Sequence, residues 1–120
     1  MPAPHNPRQL PLNMLTYYQA PSMVSTAQID AVKTYRGAVL ACWALRNRPH
    51  LTKRQLAEEV GCYASHVTDY LSTNEAKRDM PARHIAEFEA ACGNRFISQW
   101  IARRSELTVL EEFVAQRRVG

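Results

Sequence analysis

The chain has 120 residues, with 15 lysines and arginines against 11 aspartates and glutamates, and a net charge of +4. That length suffices for one domain, which should bury roughly two-thirds of its unfolded surface. With 46% hydrophobic and 22% charged residues, the composition excludes a collagen, a repeat array and a fully disordered chain.

Residues 1–24 carry five of the seven prolines: Pro2, Pro4, Pro7, Pro11 and Pro21. Proline lacks the amide donor and resists helix interiors, so this segment reads as a weakly ordered arm. Leu12, Met14, Leu15, Tyr17 and Tyr18 give it apolar groups that a free linker would lack. No signal peptide is expected, because prolines, glutamines and asparagines interrupt the early apolar residues. No run is long enough to span a bilayer. A cytosolic protein is therefore expected, with no membrane partner. Cys42, Cys62 and Cys92 form neither a disulfide framework nor a zinc motif, and are expected as small buried thiols.

Ser25 and Gln28 match a capping box. Ile29, Val32, Val39, Leu40 and Trp43 then recur at helical spacing. One helix is predicted from Ser25 to about Asn47, with a bend or close packing at Gly37 and an end imposed by Pro49. Thr52 and Gln55 form a second capping box, opening a short helix with Leu56, Ala57 and Val60 inside, and Gly61 marks its left-handed cap. A third helix is predicted over 63–72, with Val67, Tyr70 and Leu71 facing inward. After a polar loop, Asp79 is expected to cap a helix with Pro81 in its first turn and Gly93 at its end. Asn94 is expected to cap a fifth helix carrying Phe96, Ile97, Trp100 and Ile101. Thr108 with Glu111 suggests a separate final helix carrying Leu110, Phe113 and Val114. No segment alternates with the period of a strand. The expected fold is an all-α bundle of five or six helices, divided into an arm (1–24), a main domain (25–104) and a C-terminal helix (105–120) that would serve association.

The informative stretch is Lys53 to Ser72, KRQLAEEVGCYASHVTDYLS. Two short helices meeting at a steep angle need a residue that accepts positive φ in the turn, which Gly61 supplies. They need a small residue where they cross, which Ala57 supplies. Leu56, Val60, Cys62, Val67 and Tyr70 fill the space behind them, so the second helix projects its polar side outward. This pattern resembles the helix-turn-helix of lambda-type phage repressors, Cro proteins and the related CII activators. The resemblance rests on Ala57, Gly61 and Val67, with Leu56 and Val60, and spans about residues 26–93.

The resemblance implies a sequence-specific transcriptional regulator, from a phage or prophage, acting on an operator or promoter in double-stranded DNA. It places Tyr63, Ala64, Ser65, Thr68 and Asp69 toward base edges in the major groove. Two roles stay open for Asp69: accepting from a cytosine amino group, or orienting a neighbouring arginine. Phosphate contacts are expected from Thr52, Lys53 and Arg54 at a helix N-terminus, and from His66, Asn74, Lys77 and Arg78. His66 is expected near phosphate or solvent, not as a base reader. Phe96, Trp100, Ile101, Leu110 and Phe113 are expected to form a homodimer interface, part of it ordinary core; a CII-like layout leaves a tetramer open.

The alternative is a protein-interaction module on the same scaffold: an anti-repressor, an antitoxin-like partner or an RNA-polymerase-binding factor. Glu58, Glu59, Asp69 and the apolar C-terminal residues favour it. An enzyme is not expected. The chain has no glycine-rich phosphate loop and no nucleophile elbow, and His5, His50, His66 and His84 have no metal-ligand spacing. No cofactor is expected either.

Overall fold

The computed structural model describes residues 20–119. Residues 1–19 of the predicted arm lie outside the described residues. The remainder of that arm is tied down. Ser22 N–H donates to the Gly93 carbonyl at 2.9 Å, and Arg95 N–H donates to the Ser22 carbonyl at 3.0 Å. The Gln99 amide then spans both backbone groups of Val24, each at 2.8 Å.

The first predicted helix is in fact two, α1 (Thr26–Asp30) and α2 (Tyr35–Ala44). Ser25 Oγ caps α1 by accepting from Gln28 N–H. The break falls at residues 31–34, ahead of Gly37, because Thr34 begins a new helix: its hydroxyl accepts from Gly37 N–H at 3.0 Å. The interrupted backbone finds tertiary partners, since Trp100 Nε1 donates to the Val32 carbonyl at 2.9 Å. Buried backbone groups require such replacements.

Helix α3 (Lys53–Val60) opens with the complete Thr52–Gln55 capping box. It ends at Gly61, whose φ of 85° and ψ of 36° are left-handed. Helix α4 (Ala64–Tyr70) follows after two residues. The next segment corrects one expectation. Asp79 does not cap a helix; its carboxylate accepts from Arg36 Nη2 at 3.0 Å, and a 3-10 turn (Ala82–His84) leads into α5 (Ile85–Cys92). Gly93 closes α5 with φ of 83°. A Cβ there would also crowd the exposed Asn47 side chain, which would have to swing aside.

Buried Asn94 starts α6 (Phe96–Val119): its Oδ1 accepts from Phe96 N–H at 3.1 Å, and its Nδ2 donates to the Cys42 carbonyl at 3.0 Å. The separate final helix expected at Thr108 does not exist. No glycine or proline interrupts 96–119, and the Thr108 hydroxyl bonds back to the Arg104 carbonyl at 3.0 Å. At 24 residues α6 is about 36 Å long.

The described residues thus form a compact all-helical globule of six α-helices without strands. Its core joins Val39 and Cys42 of α2, Leu56 of α3, Val67 of α4, Phe88 and Cys92 of α5, and Phe96 and Ile97 of α6. Among the described residues, no helix is long and apolar enough to cross a membrane.

Candidate nucleic-acid interface

The α3–α4 pair is built around Gly61. The Ala57 carbonyl accepts from both Gly61 N–H (2.8 Å) and Cys62 N–H (3.0 Å), which closes the turn tightly. Ala57 is buried, as the crossing of two helices requires. Val67, Tyr70 and Leu71 anchor α4 in the core, leaving its opposite side to solvent. Tyr63 stands at the N-cap position and is 74% exposed. Ala64, Ser65 and Thr68 are exposed, and the Thr68 hydroxyl donates to the Ala64 carbonyl at 3.1 Å.

The remaining predicted residues of α4 are less open. His66 is half-buried, with the Tyr63 ring edge-on to it at 5.2 Å and the Tyr70 ring 6.4 Å away. Its Nε2 meets Arg78 Nη1. Asp69 Oδ2 accepts from Arg78 Nε at 2.8 Å, and its side chain is 25% exposed. The arginine that one reading of Asp69 required is therefore present. Burial raises the Tyr70 phenol above its ordinary pKa, and burial likewise raises the Cys62 thiol.

Lys53 and Arg54 are exposed in the first turn of α3. The Thr52 hydroxyl is committed to Gln55 N–H, and Asn74 Oδ1 to Ala76 N–H at 2.9 Å, so both serve local backbone first. Lys77 and Arg78 are exposed in the loop after α4. Of the acidic neighbours, Glu59 pairs with Arg48 at 2.7 Å.

Arg36 was not singled out in the sequence, yet it organises this surface. Nearly buried in α2, it donates through Nη1 to the carbonyls of Asp69 (2.7 Å), Tyr70 (3.3 Å) and Ser72 (2.9 Å). Through Nη2 it donates to the carbonyls of Lys77 (2.6 Å) and Arg78 (3.0 Å) and to Asp79. One guanidinium thus locks the C-terminus of α4 to the loop 72–79. Positive charge at a helix C-terminus also complements the helix dipole. A signal was present: Arg36 stands in register with Val32, Val39 and Trp43, and a charge on an apolar stripe must find buried acceptors.

The predicted association residues separate into two groups. Phe96 is 2% exposed and belongs to the core, so it cannot reach a partner. Trp100 is half-buried and bonded to Val32. Ile101, Leu110 and Phe113 are exposed on α6, together with Val109 and Val114. Cys42 and Cys92 are buried, and hydrogen bonding with Cys92 and burial push the Cys42 thiol far above its ordinary value. Among the described residues, no cluster of three or more histidines, cysteines or carboxylates is placed to hold a metal ion.

Comparison of the chain with family models, curated proteins and solved structures finds no match. The fold defines an all-helical protein with a short helix anchored in the core by one side and exposed on the other.

Proposed function

We propose that the chain is a sequence-specific DNA-binding transcriptional regulator of a phage or prophage, inserting α4 and its flanks into the major groove. The observation that carries this reading is the sharp turn at Gly61, which leaves Tyr63, Ala64, Ser65 and Thr68 outward on a helix narrow enough for the groove. Exposed Lys53 and Arg54 in the first turn of α3, and Lys77 in the loop after α4, supply groups for phosphate. The test is binding to duplex DNA across salt concentrations, followed by selection of bound duplexes from a random pool. Affinity should fall steeply with salt, because neutralised phosphates release counterions. Salt-independent binding, or a pool without an enriched motif, contradicts the reading.

The regulator is proposed to act as a homodimer through the exposed half of α6. Ala102, Ser105, Glu106 and Val109 line an open groove at the i, i+3, i+4, i+7 spacing that receives a knob from a facing helix, and Phe113 is 55% exposed one turn beyond. Phe113→Ala with Leu110→Ala should shift the sedimentation mass to that of the monomer; an unchanged mass rules this surface out. The same apolar stripe, with exposed Glu58 on α3, favours a second reading as a protein-interaction module. Stoichiometric recovery of a protein partner, with no shift of DNA, selects that reading.

A further inference from the structure

We infer that Arg78, carried by the loop after α4, is itself a base-reading residue, and that Asp69 is its positioning residue. The inference rests on the proposed DNA-binding role and specifies how that surface reads sequence. Its ligand is a guanine edge in the major groove, which offers two acceptors, O6 and N7, to a guanidinium.

The argument begins with direction. Val67, Tyr70 and Leu71 point α4's inner side into the core, so Ser65 and Asp69, one turn apart, occupy the outer side. Asp69 is only partly exposed because Arg78 folds back across it: Nε donates to Asp69 Oδ2 at 2.8 Å and Nη1 rests against His66 Nε2. The Arg78 side chain, still 52% exposed, therefore lies across the outer side of α4 between Asp69 and His66. Nη2 has no hydrogen-bond partner among the described residues.

Charge decides between a phosphate and a base. A carboxylate within 2.8 Å of Nε makes the pair net neutral, which removes most of its attraction for phosphate. The same carboxylate fixes the plane of the fork, and a fixed planar fork suits bidentate recognition. With Asp69 keeping Nε, the outer edge formed by Nη1 and Nη2 is the one to meet O6 and N7, and Nη1 exchanges His66 for the base. The backbone is also fixed in advance. Arg36 holds the Arg78 carbonyl and the last carbonyls of α4 with one guanidinium, so the loop cannot drift relative to the helix. Such preorganisation lowers the ordering cost of binding.

The experiment is selection from a random duplex pool with the full chain and with Arg78→Ala, Arg78→Lys, Asp69→Ala and Asp69→Asn, each checked by thermal unfolding. Arg78→Ala should lose about tenfold or more in preference at one G·C pair per half-site, leaving other positions intact. Arg78→Lys should lose it too, because an ammonium lacks the fork. Asp69→Ala should relax that same position while binding unrelated duplexes more tightly, having removed a negative charge. Asp69→Asn should retain part of the preference, since its amide oxygen still accepts from Nε. Uniform weakening by Arg78→Ala across all duplexes, with a salt slope lower by about one, assigns Arg78 to phosphate and overturns the inference alone. So does Asp69→Ala relaxing a different base pair from Arg78→Ala. A parent chain that enriches no motif overturns the inference together with the proposed function.

Discussion

Replacing Arg36 with methionine removes the guanidinium while keeping much of the stem's volume. Its six hydrogen bonds, at the usual 1.5–3 kcal/mol for a charged donor, would together exceed the whole stability of many small domains, so they cannot be additive. Of the acceptors, the Tyr70 carbonyl is in a buried bond, while the others are part-buried and can recover water once the side chain is gone. The desolvation cost of the parent's own buried charge is also relieved. The expected net loss is about 3 kcal/mol, dominated by one stranded carbonyl and by the disconnected loop. Urea unfolding followed by the fluorescence of Trp43 and Trp100 measures it, with an unchanged m-value. Hydrogen exchange should accelerate first at residues 72–79. Arg36→Lys should fall between the two, because one ammonium cannot serve both ends of the fork. A loss below about 1 kcal/mol, or exchange in the loop that tracks only global unfolding, would refute the assignment of Arg36 as the lock.

The two left-handed glycines should differ. Gly61→Ala meets no atom within 4 Å and should cost about 1–2 kcal/mol from backbone strain alone, whereas Gly93→Ala also collides with Asn47 and should cost more in thermal unfolding. The reverse order would show that the Asn47 side chain yields to a Cβ at Gly93 without cost. Asp30 is held below its ordinary value of 3.8 by hydrogen bonds from Arg103 at 3.0 and 3.2 Å. A depressed folded pKa means the pair's contribution is full above 3.8 and fades as pH falls toward the folded value. The melting-point gap between the parent and Asp30→Asn should therefore be level near neutrality and close in acid; a gap that widens in acid contradicts the ion pair. Burial pushes the Tyr35 phenol up to about 12 from 10.0, and its Oη donates to the Met80 carbonyl at 2.8 Å. Here the folded pKa is raised, so the contribution is present below pH 10 and lost as pH climbs toward 12. Tyr35→Phe should cost about 1 kcal/mol at neutral pH and delete a late-ionising phenol from the absorbance titration; deletion of one that ionises near 10 would contradict its burial.

The parts of the fold that were legible are those with local causes. Thr52 with Gln55, Gly61 and Gly93 each act within one turn of chain, and each does what its residue type requires. Asn94 likewise caps α6 with its own side chain. The misreadings came where a local signal met something beyond its own turn of chain. Ser25 to Asn47 has a continuous helical period, yet the chain breaks at 31–34, where Thr34 caps a new helix and Trp100, 68 residues away, takes up the Val32 carbonyl. Asp79 is a good cap by type, but Arg36, 43 residues earlier, claims its carboxylate. Thr108 with Glu111 spells a helix start, though a helix already running through it makes the cap unnecessary. In the candidate site, the exposure of Tyr63, Ala64, Ser65 and Thr68 follows from which residues on α4 are apolar. The pairing of Asp69 with Arg78 depends on a loop path that no periodicity encodes.

By itself, the order of residues determined an all-helical chain, the stops at Gly61 and Gly93, and which side of α4 turns inward, since caps, left-handed glycines and apolar spacing act over three or four residues. Tertiary structure decided which backbone groups Arg36 and Trp100 would satisfy, that Phe96 would be sealed inside, and that Arg78 would lie across the outer side of α4. Those outcomes depend on desolvation: a buried donor or acceptor must find a partner wherever the packed chain supplies one, and sequence distance carries no information about where that will be.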